Sequence, residues 1–511
     1  MTAKVLMVQG TSSSAGKSLL VTALCRIFAR RGWKVAPFKA QNMSNNAGVC
    51  LDGAEIGRAQ ITQAMAAGIE PTAQMNPVLL KPEANVRSQV VVLGKAWETL
   101  AARDYYDRKR VLWNYVTESL DQLRAEYDLV IIEGAGSPAE LNLKRNDIVN
   151  MAVAVYAQAP VLLVGDIDRG GIFPQLLGTW WLLPEEEQRL IAGFIVNKFR
   201  GDPSLFTDGI EIIEEKSDIP VVGVVPWMVD LAIPEEDAVA LDVKTPAVFD
   251  RTAGQAAAQI TDIAIIRLPR IANFDDFDQL AGEPGVRVRY ITKPAELAGA
   301  DAVIIPGTKS TMADLEWLNQ AGFAEPLRIW ADEDKPLVGI CGGYQMLGRE
   351  IYDPNGVESP IEQMAGLSIL PITTSFAGEK ATHRATGFIA SGWTDNWFAQ
   401  LDEASVHGYE IHMGRTETET PWLRLVQRGE QQVNVVDGAM RPDGRVWGCY
   451  LHGLFGNQSV RHAWLESLGW SYAAESQVAA DLETAFDQLA NHVEEALDMT
   501  LLEKILADQP S

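Results

Sequence analysis

Short apolar runs rich in Val, Ile and Leu alternate along the chain with longer stretches in which apolar positions recur at helical spacing. Strands are expected at Val5–Val8, Lys34–Pro37, Leu129–Glu133, Val161–Gly165, Gly193–Asn197 and Val221–Val225. Amphipathic stretches of helix length fall between them, among them Lys17–Arg31 and Ala59–Ala67. Near-continuous apolar strands separated by helices are what a parallel sheet covered on both faces requires. The small and polar residues of 250–259 break this rhythm, and a linker is expected within roughly 235–260. A second series then begins, with strands at Asp262–Arg267, Val286–Tyr290, Ala302–Ile305 and Leu337–Ile340, and later at Leu367–Ile372 and Arg445–Tyr450. The end of the chain reads as helical and acidic (Val478–Ile505), its charges forming a solvated face. The pattern predicts the α/β class: two doubly wound domains, at 1–245 and 261–511, joined by a linker at 246–260.

The 511 residues carry 43 Lys and Arg against 68 Asp and Glu, a formal charge of -25. That excess of acid excludes a broad nucleic-acid surface, which needs positive charge to displace counterions. No apolar run approaches the ~18 residues of a membrane span. Residues 1–8 are too short for a signal peptide and run directly into a glycine loop, so a cytoplasmic location is expected. The cysteines at 25, 50, 341 and 449 form no Cys-x-x-Cys pair, which argues against a disulfide framework or zinc site.

Chemistry first appears at Gly10-Thr11-Ser12-Ser13-Ser14-Ala15-Gly16-Lys17-Ser18, between an apolar strand and an amphipathic helix. Small residues let backbone N–H groups wrap a phosphate, and the positive end of the helix favours the anion. Lys17 would meet the outer phosphates and the Ser18 hydroxyl a Mg²⁺ ion. Five residues separate the glycines, one more than in the usual phosphate loop. Glu133, at the carboxyl end of its strand, is placed to hold the same metal. Asp166 and Asp168 are either metal or substrate contacts or turn formers, and Asn197 either reads a purine or closes a turn.

A second centre lies at Val338-Gly339-Ile340-Cys341-Gly342-Gly343. A cysteine flanked by glycines between strand and helix has the form of a nucleophile elbow, with the thiol exposed at a helix N-terminus. The backbone N–H of Gly342, and one near Gly307, would face an oxyanion. Of six histidines, His452 follows an apolar strand and precedes Gly453, the best placement for a base to Cys341.

These motifs resemble known families. The five-residue loop, Lys39, Glu133-Gly134-Ala135-Gly136, Asn197 and Gly223–Trp227 are similar to the ATP-dependent carboxylate-activating enzymes of the dethiobiotin synthetase type. The resemblance implies that Gly10–Ser18, Lys39 and Asn197 bind ATP, and that Glu55, with nearby Asp52 as the competing acid, joins Ser18 and Glu133 at Mg²⁺. The Cys341 elbow and His452 resemble class I glutamine amidotransferases of flavodoxin-like fold. That family's usual acid would fall at position 454, which is Leu454 here, so the third member of the site is left open.

Gln41–Asn46, Glu55–Gln60, Asn76–Pro82 and Gly408–Gly414 further resemble the corrinoid amide synthases of cobalamin biosynthesis over nearly the whole chain. The resemblance implies amidation of the b, d, e and g carboxylates of adenosylcobyrinic acid a,c-diamide, using glutamine, ATP and Mg²⁺. Arg58, Lys81 and Arg87 are candidate cations for the polyanionic corrinoid. The alternatives are the enzyme that makes the a,c-diamide and an ATPase switch of the partitioning type. The oligomeric state is left open.

Overall fold

The computed structural model describes residues 2–83, 87–228, 233–234, 260–471 and 482–509. The linker expected at 246–260 lies, apart from its last residue, outside them. In the N-terminal domain six parallel strands run in the order Val221–Pro226, Ile191–Phe199, Val161–Asp166, Lys4–Gly10, Leu129–Glu133, Val35–Phe38. Side chains alternate across the pleat of Lys4–Gly10. Val5 and Met7 enter one apolar core; Leu6 and Val8 enter the other, beneath helix Lys17–Arg30. The chain leaves Lys4–Gly10 towards one edge and later returns on the other side, so the loop at its carboxyl end sits at the switch point where ligands bind in such sheets.

Residues 41–101 supply strands that the apolar pattern does not reveal. Gln41–Met43, Val78–Pro82, Arg87–Val92 and Lys95–Ala101 form a four-stranded sheet, and Ala47–Val49 pairs with Glu55–Gly57. These strands are short and interrupted by polar residues that face the second domain.

The C-terminal domain has the parallel order Val286–Ile291, Thr261–Ile266, Ala302–Ile305, Leu337–Ile340, Val446–Cys449, closed by the antiparallel Ala439–Met440. Leu367–Ile372 is not a strand. Leu367, Leu370 and Ile372 are buried, but the backbone of 367–370 donates to the carbonyls of 346–348, which folds the segment under the Cys341 helix. Burial alone produced the strand-like pattern. The long hairpin Thr373–Ile389 and Ser405–Glu417 follows and reaches the other domain, where Ile411 packs with Ala47, Val49, Leu79 and Val91.

The acidic tail forms helices Leu482–Ala496 and Met499–Ala507, which pack on the N-terminal domain rather than the one preceding them in sequence. Phe486, Leu489 and Val493 lie against helix Lys17–Arg30. The tail's acids are more than a solvated face, because Asp487 and Glu494 pair with Arg26, Arg30 and Arg31. Among the described residues no helix is long and apolar enough to cross a membrane.

Candidate active site

The glycine loop closes over its own helix. Gly16 has φ +97°, and a Cβ there would stand 2.1 Å from Asn197 Nδ2, so both conformation and space demand glycine. Asn197 Nδ2 donates to the Ala15 carbonyl (2.8 Å), bracing the loop rather than closing a turn of its own. Lys17 is buried, its Nζ 3.0 Å from the Ser12 carbonyl and 3.3 Å from that of Gly136. Ser18 Oγ (2.9 Å) and Lys39 Nζ (2.8 Å) both reach Glu133 Oε1, and Gln63 Nε2 donates to its Oε2 (2.6 Å). A hydroxyl and a carboxylate oxygen this close at a helix N-terminus form a hard donor pair that suits Mg²⁺ completed by phosphates and water. Asp166 and Asp168 are engaged elsewhere, pairing with Lys198 (2.9 Å) and Arg200 (2.5 Å).

Glu55 does not join this group. It is fully buried where the two domains meet, and its two oxygens are bound by Lys81 (2.5 Å) and Lys380. Burial alone would raise its pKa, but the two ammonium groups outweigh that and hold it at about 2. Two lysines on one carboxylate leave it unsuited to a dication. Lys81 is thereby held within the protein. Arg58 is likewise held, its Nε 2.9 Å from Asp275 Oδ2 across the interface. Of the three cations expected to meet substrate, Arg87 alone is exposed.

In the second domain, Cys341 adopts φ +50°, ψ -109°, a strained backbone for a residue bearing a side chain, and helix Gly342–Met346 starts at once. Gly343 lets that helix press onto the sheet, since a Cβ there would stand 1.9 Å from the Ile305 carbonyl oxygen. Gly307 lies against the site: a Cβ on it would be 3.0 Å from His452 Cε1 and 3.7 Å from Cys341 Cβ. Gly342 faces the same loop, where a Cβ would be 3.2 Å from Thr308 N. The elbow, His452 and both glycines expected around an oxyanion thus converge.

The third member is Asp276, in place of the acid missing at position 454. Its Oδ2 is 2.6 Å from His452 Nδ1, and its Oδ1 accepts from Gly453 N (2.8 Å). It lies in the turn Phe274–Phe277 after strand Thr261–Ile266, 176 residues from the histidine it orients. Two adjacent acids between aromatic residues (Phe274-Asp275-Asp276-Phe277) are the only local signal, and they do not say which residue they serve. Burial by itself would lower the His452 pKa; Asp276 and the Cys341 sulfur overcome it and raise the imidazole to about 10. A thiol beside an imidazolium held by a carboxylate is set up for nucleophilic attack followed by proton delivery to a leaving amine. By contrast, burial drives the Cys25, Cys50 and Cys449 thiols upward, so they are inert.

Cys341 and His452 line a cavity of about 70 Å³ between the domains, together with Lys81 and Gln89 from the first domain and Thr308 and Lys309 from the second. Lys380, His412 and Met413 also line a second cavity of about 370 Å³, which extends to Glu410, Arg428 and Asp437.

Comparison with known proteins agrees with this division. Residues 6–239 match the CobQ/CobB/MinD/ParA nucleotide binding domain, and residues 262–460 match the CobB/CobQ-like glutamine amidotransferase domain. A cobyric acid synthase of Chloroflexus aggregans is 56% identical over 508 residues, covering 99% of each chain. One of Chloroflexus aurantiacus is 55% identical, over 99% of this chain and 100% of the relative. One of Herpetosiphon aurantiacus is 54% identical, over 100% of this chain and 99% of the relative. With a nucleotide-binding domain and a glutamine amidotransferase domain in one chain, and similarity of this extent, the protein belongs to the cobyric acid synthase family of glutamine-dependent, ATP-driven ligases.

Proposed function

We propose that this chain converts adenosylcobyrinic acid a,c-diamide to adenosylcobyric acid by amidating the b, d, e and g carboxylates in turn. The observation that carries the reading is the union in one chain of the phosphate loop with a Cys341–His452–Asp276 glutaminase, whose cavity is walled on one side by the ATP domain. The Cys341 thiolate attacks the glutamine side-chain carbonyl, and the N–H groups around Gly307 and Gly342 receive the oxyanion. His452 gives its proton to the departing ammonia, and water then releases glutamate from the thioester. At the loop, a corrinoid carboxylate attacks the γ-phosphorus of ATP, forming an acyl phosphate and ADP. Ammonia displaces the phosphate to leave an amide. Each round uses one ATP and one glutamine.

Gly10–Ser18, Lys39 and Asn197 form the ATP site, and Ser18 and Glu133 would hold Mg²⁺, which spreads the charge of the transferring phosphoryl group. Arg87 is the cation we assign to the corrinoid; Glu55, Lys81 and Arg58 act within the protein. A net charge of -25 favours a small-molecule enzyme over a nucleic-acid binder. The test is Lys17→Ala beside Cys341→Ala. The first should lose amidation with glutamine or ammonia. The second should lose it with glutamine and keep it at high ammonia. Ammonia-driven amidation surviving in Lys17→Ala would refute the ATP site.

A further inference from the structure

The Asp276 turn is held as much by the other domain as by its own. Asn273 Nδ2 donates to the Ala47 carbonyl (3.1 Å) and to the Tyr409 hydroxyl (3.0 Å). Arg58 enters from the first domain at the start of helix Arg58–Ala66. Its guanidinium meets Asp275 through Nε and donates to the Tyr409 hydroxyl (2.5 Å). The Tyr409 ring in turn stacks on His452, with centroids 5.2 Å apart and planes 15° from parallel, and the two backbones exchange hydrogen bonds of 2.9 and 3.1 Å. Arg58 therefore grips both neighbours of the catalytic imidazole: the turn that carries its acid and the ring that lies on its face.

The other end of the same short helix touches the ATP site. Gln63, five residues after Arg58, donates to Glu133, the carboxylate that Ser18 and Lys39 share. Ser18 and Lys39 are the side chains that nucleotide phosphates would engage. A change in their bonding changes what Glu133 offers to Gln63. A nine-residue helix with seven buried residues transmits such a shift as a body rather than absorbing it.

We propose that helix Arg58–Ala66 is the coupling element between the two active sites, with Arg58 a positioning residue for the glutaminase that sets Asp276 and His452 according to the state of the nucleotide site. The inference rests on the assignments of the glutaminase and the ATP site made above. It goes beyond them in naming the helix and the residues that join the two sites. Such control has a chemical purpose, since free ammonia in neutral water is mostly protonated and lost to the reaction.

The test follows glutamate release by the full chain without corrinoid, with and without Mg²⁺ and a non-hydrolysable ATP analogue. In the unaltered protein nucleotide should change kcat/KM for glutamine by about fivefold or more. In Arg58→Ala and in Gln63→Leu the response should fall below about twofold, while thermal melting shows each still folded. A second readout separates positioning from packing. The charged and titratable groups around His452 are Asp276, Cys341, Tyr409, Asp275 and Arg58, with Lys81, Glu83, Lys309, Glu358, Lys380 and His412 around the cavity that it lines. One oxygen of Asp275 is buried without a hydrogen-bond partner, so Arg58→Ala leaves that carboxylate uncompensated. Loss of the Arg58 charge beside the thiol–imidazole pair moves the acid limb of the glutaminase pH profile upward, and Arg58→Lys, which keeps the charge, should leave it in place. An equal nucleotide response in all three proteins would overturn the proposal, as would no response in the unaltered one or an acid limb that Arg58→Ala does not move. Failure of the underlying assignment reads differently: glutamate release would then survive Cys341→Ala.

Discussion

A carboxylate 2.6 Å from His452 Nδ1 gives this cysteine site its proton inventory. With Asp276 in place the imidazole stays charged to about pH 10, so the proton needed by the leaving ammonia is present across the neutral range. Asp276→Asn removes that charge and should move the alkaline limb of glutamine hydrolysis downward, with a loss in kcat of about 10²-fold or more. Stability follows the same sign. A histidine raised from 6.5 to about 10 on folding stabilises the native state fully below 6.5 and loses that contribution as pH rises through the higher value. The alkaline melting of the unaltered protein should therefore be steeper than that of Asp276→Asn.

At this scale the sequence was legible where chemistry is local. Gly-x-Cys-x-Gly and the glycine loop place Cys341, Lys17 and Ser18 by spacing alone, because a tight turn before a helix needs small residues in fixed order. Asp276 and Glu55 were not legible, since a carboxylate's role depends on which distant cation or imidazole the fold brings to it.

Elements show the same division between pattern and partner. The parallel strands were readable because both of their faces are buried. Strands 41–101 were not, because they are short and place polar side chains such as Gln89 and Lys81 at a domain interface. Leu367–Ile372 misled because it is buried without being a strand. The tail was readable as helix, but its docking on the first domain was not. There, magnitudes rank the contacts. Phe486 is wholly buried, and Phe486→Ala should cost about 3–5 kcal/mol in chemical denaturation. Asp487→Ala, which breaks an ion pair whose acid is 45% exposed, should cost about 1 kcal/mol or less. The apolar face, rather than the charges, holds the tail. Gly343→Ala should overpack the other domain. A methyl at 1.9 Å from a carbonyl must push the Cys341 helix off the sheet, costing about 1–3 kcal/mol and much of the glutaminase activity.

For the whole molecule, the interface is an electrostatic join around a small apolar patch. Glu55 with Lys81 and Lys380, Arg58 with Asp275, and Lys309 with Glu83 all cross or line it. Burial pulls Lys380 down to about 8 even with Glu55 beside it, so the lysine depends on that carboxylate for its charge. Glu55→Gln removes the carboxylate that two buried lysines share, so Lys380 gives up its proton, and breaking such a set costs about 3–5 kcal/mol. The loosened join should penalise glutamine-dependent amidation more than ammonia-dependent amidation, a ratio read from parallel assays with the two nitrogen sources. Equal losses would mean that the cluster serves folding alone.

On this reading one chain turns four corrin carboxylates into amides with nitrogen from its own glutaminase. Mass spectrometry of a reaction containing adenosylcobyrinic acid a,c-diamide, ATP, Mg²⁺ and amide-¹⁵N glutamine tests it directly. Four successive amidated species are expected, each with OH replaced by ¹⁵NH₂, and no such series with Cys341→Ala until ammonia is supplied. ATP hydrolysis with the corrinoid mass unchanged would contradict it.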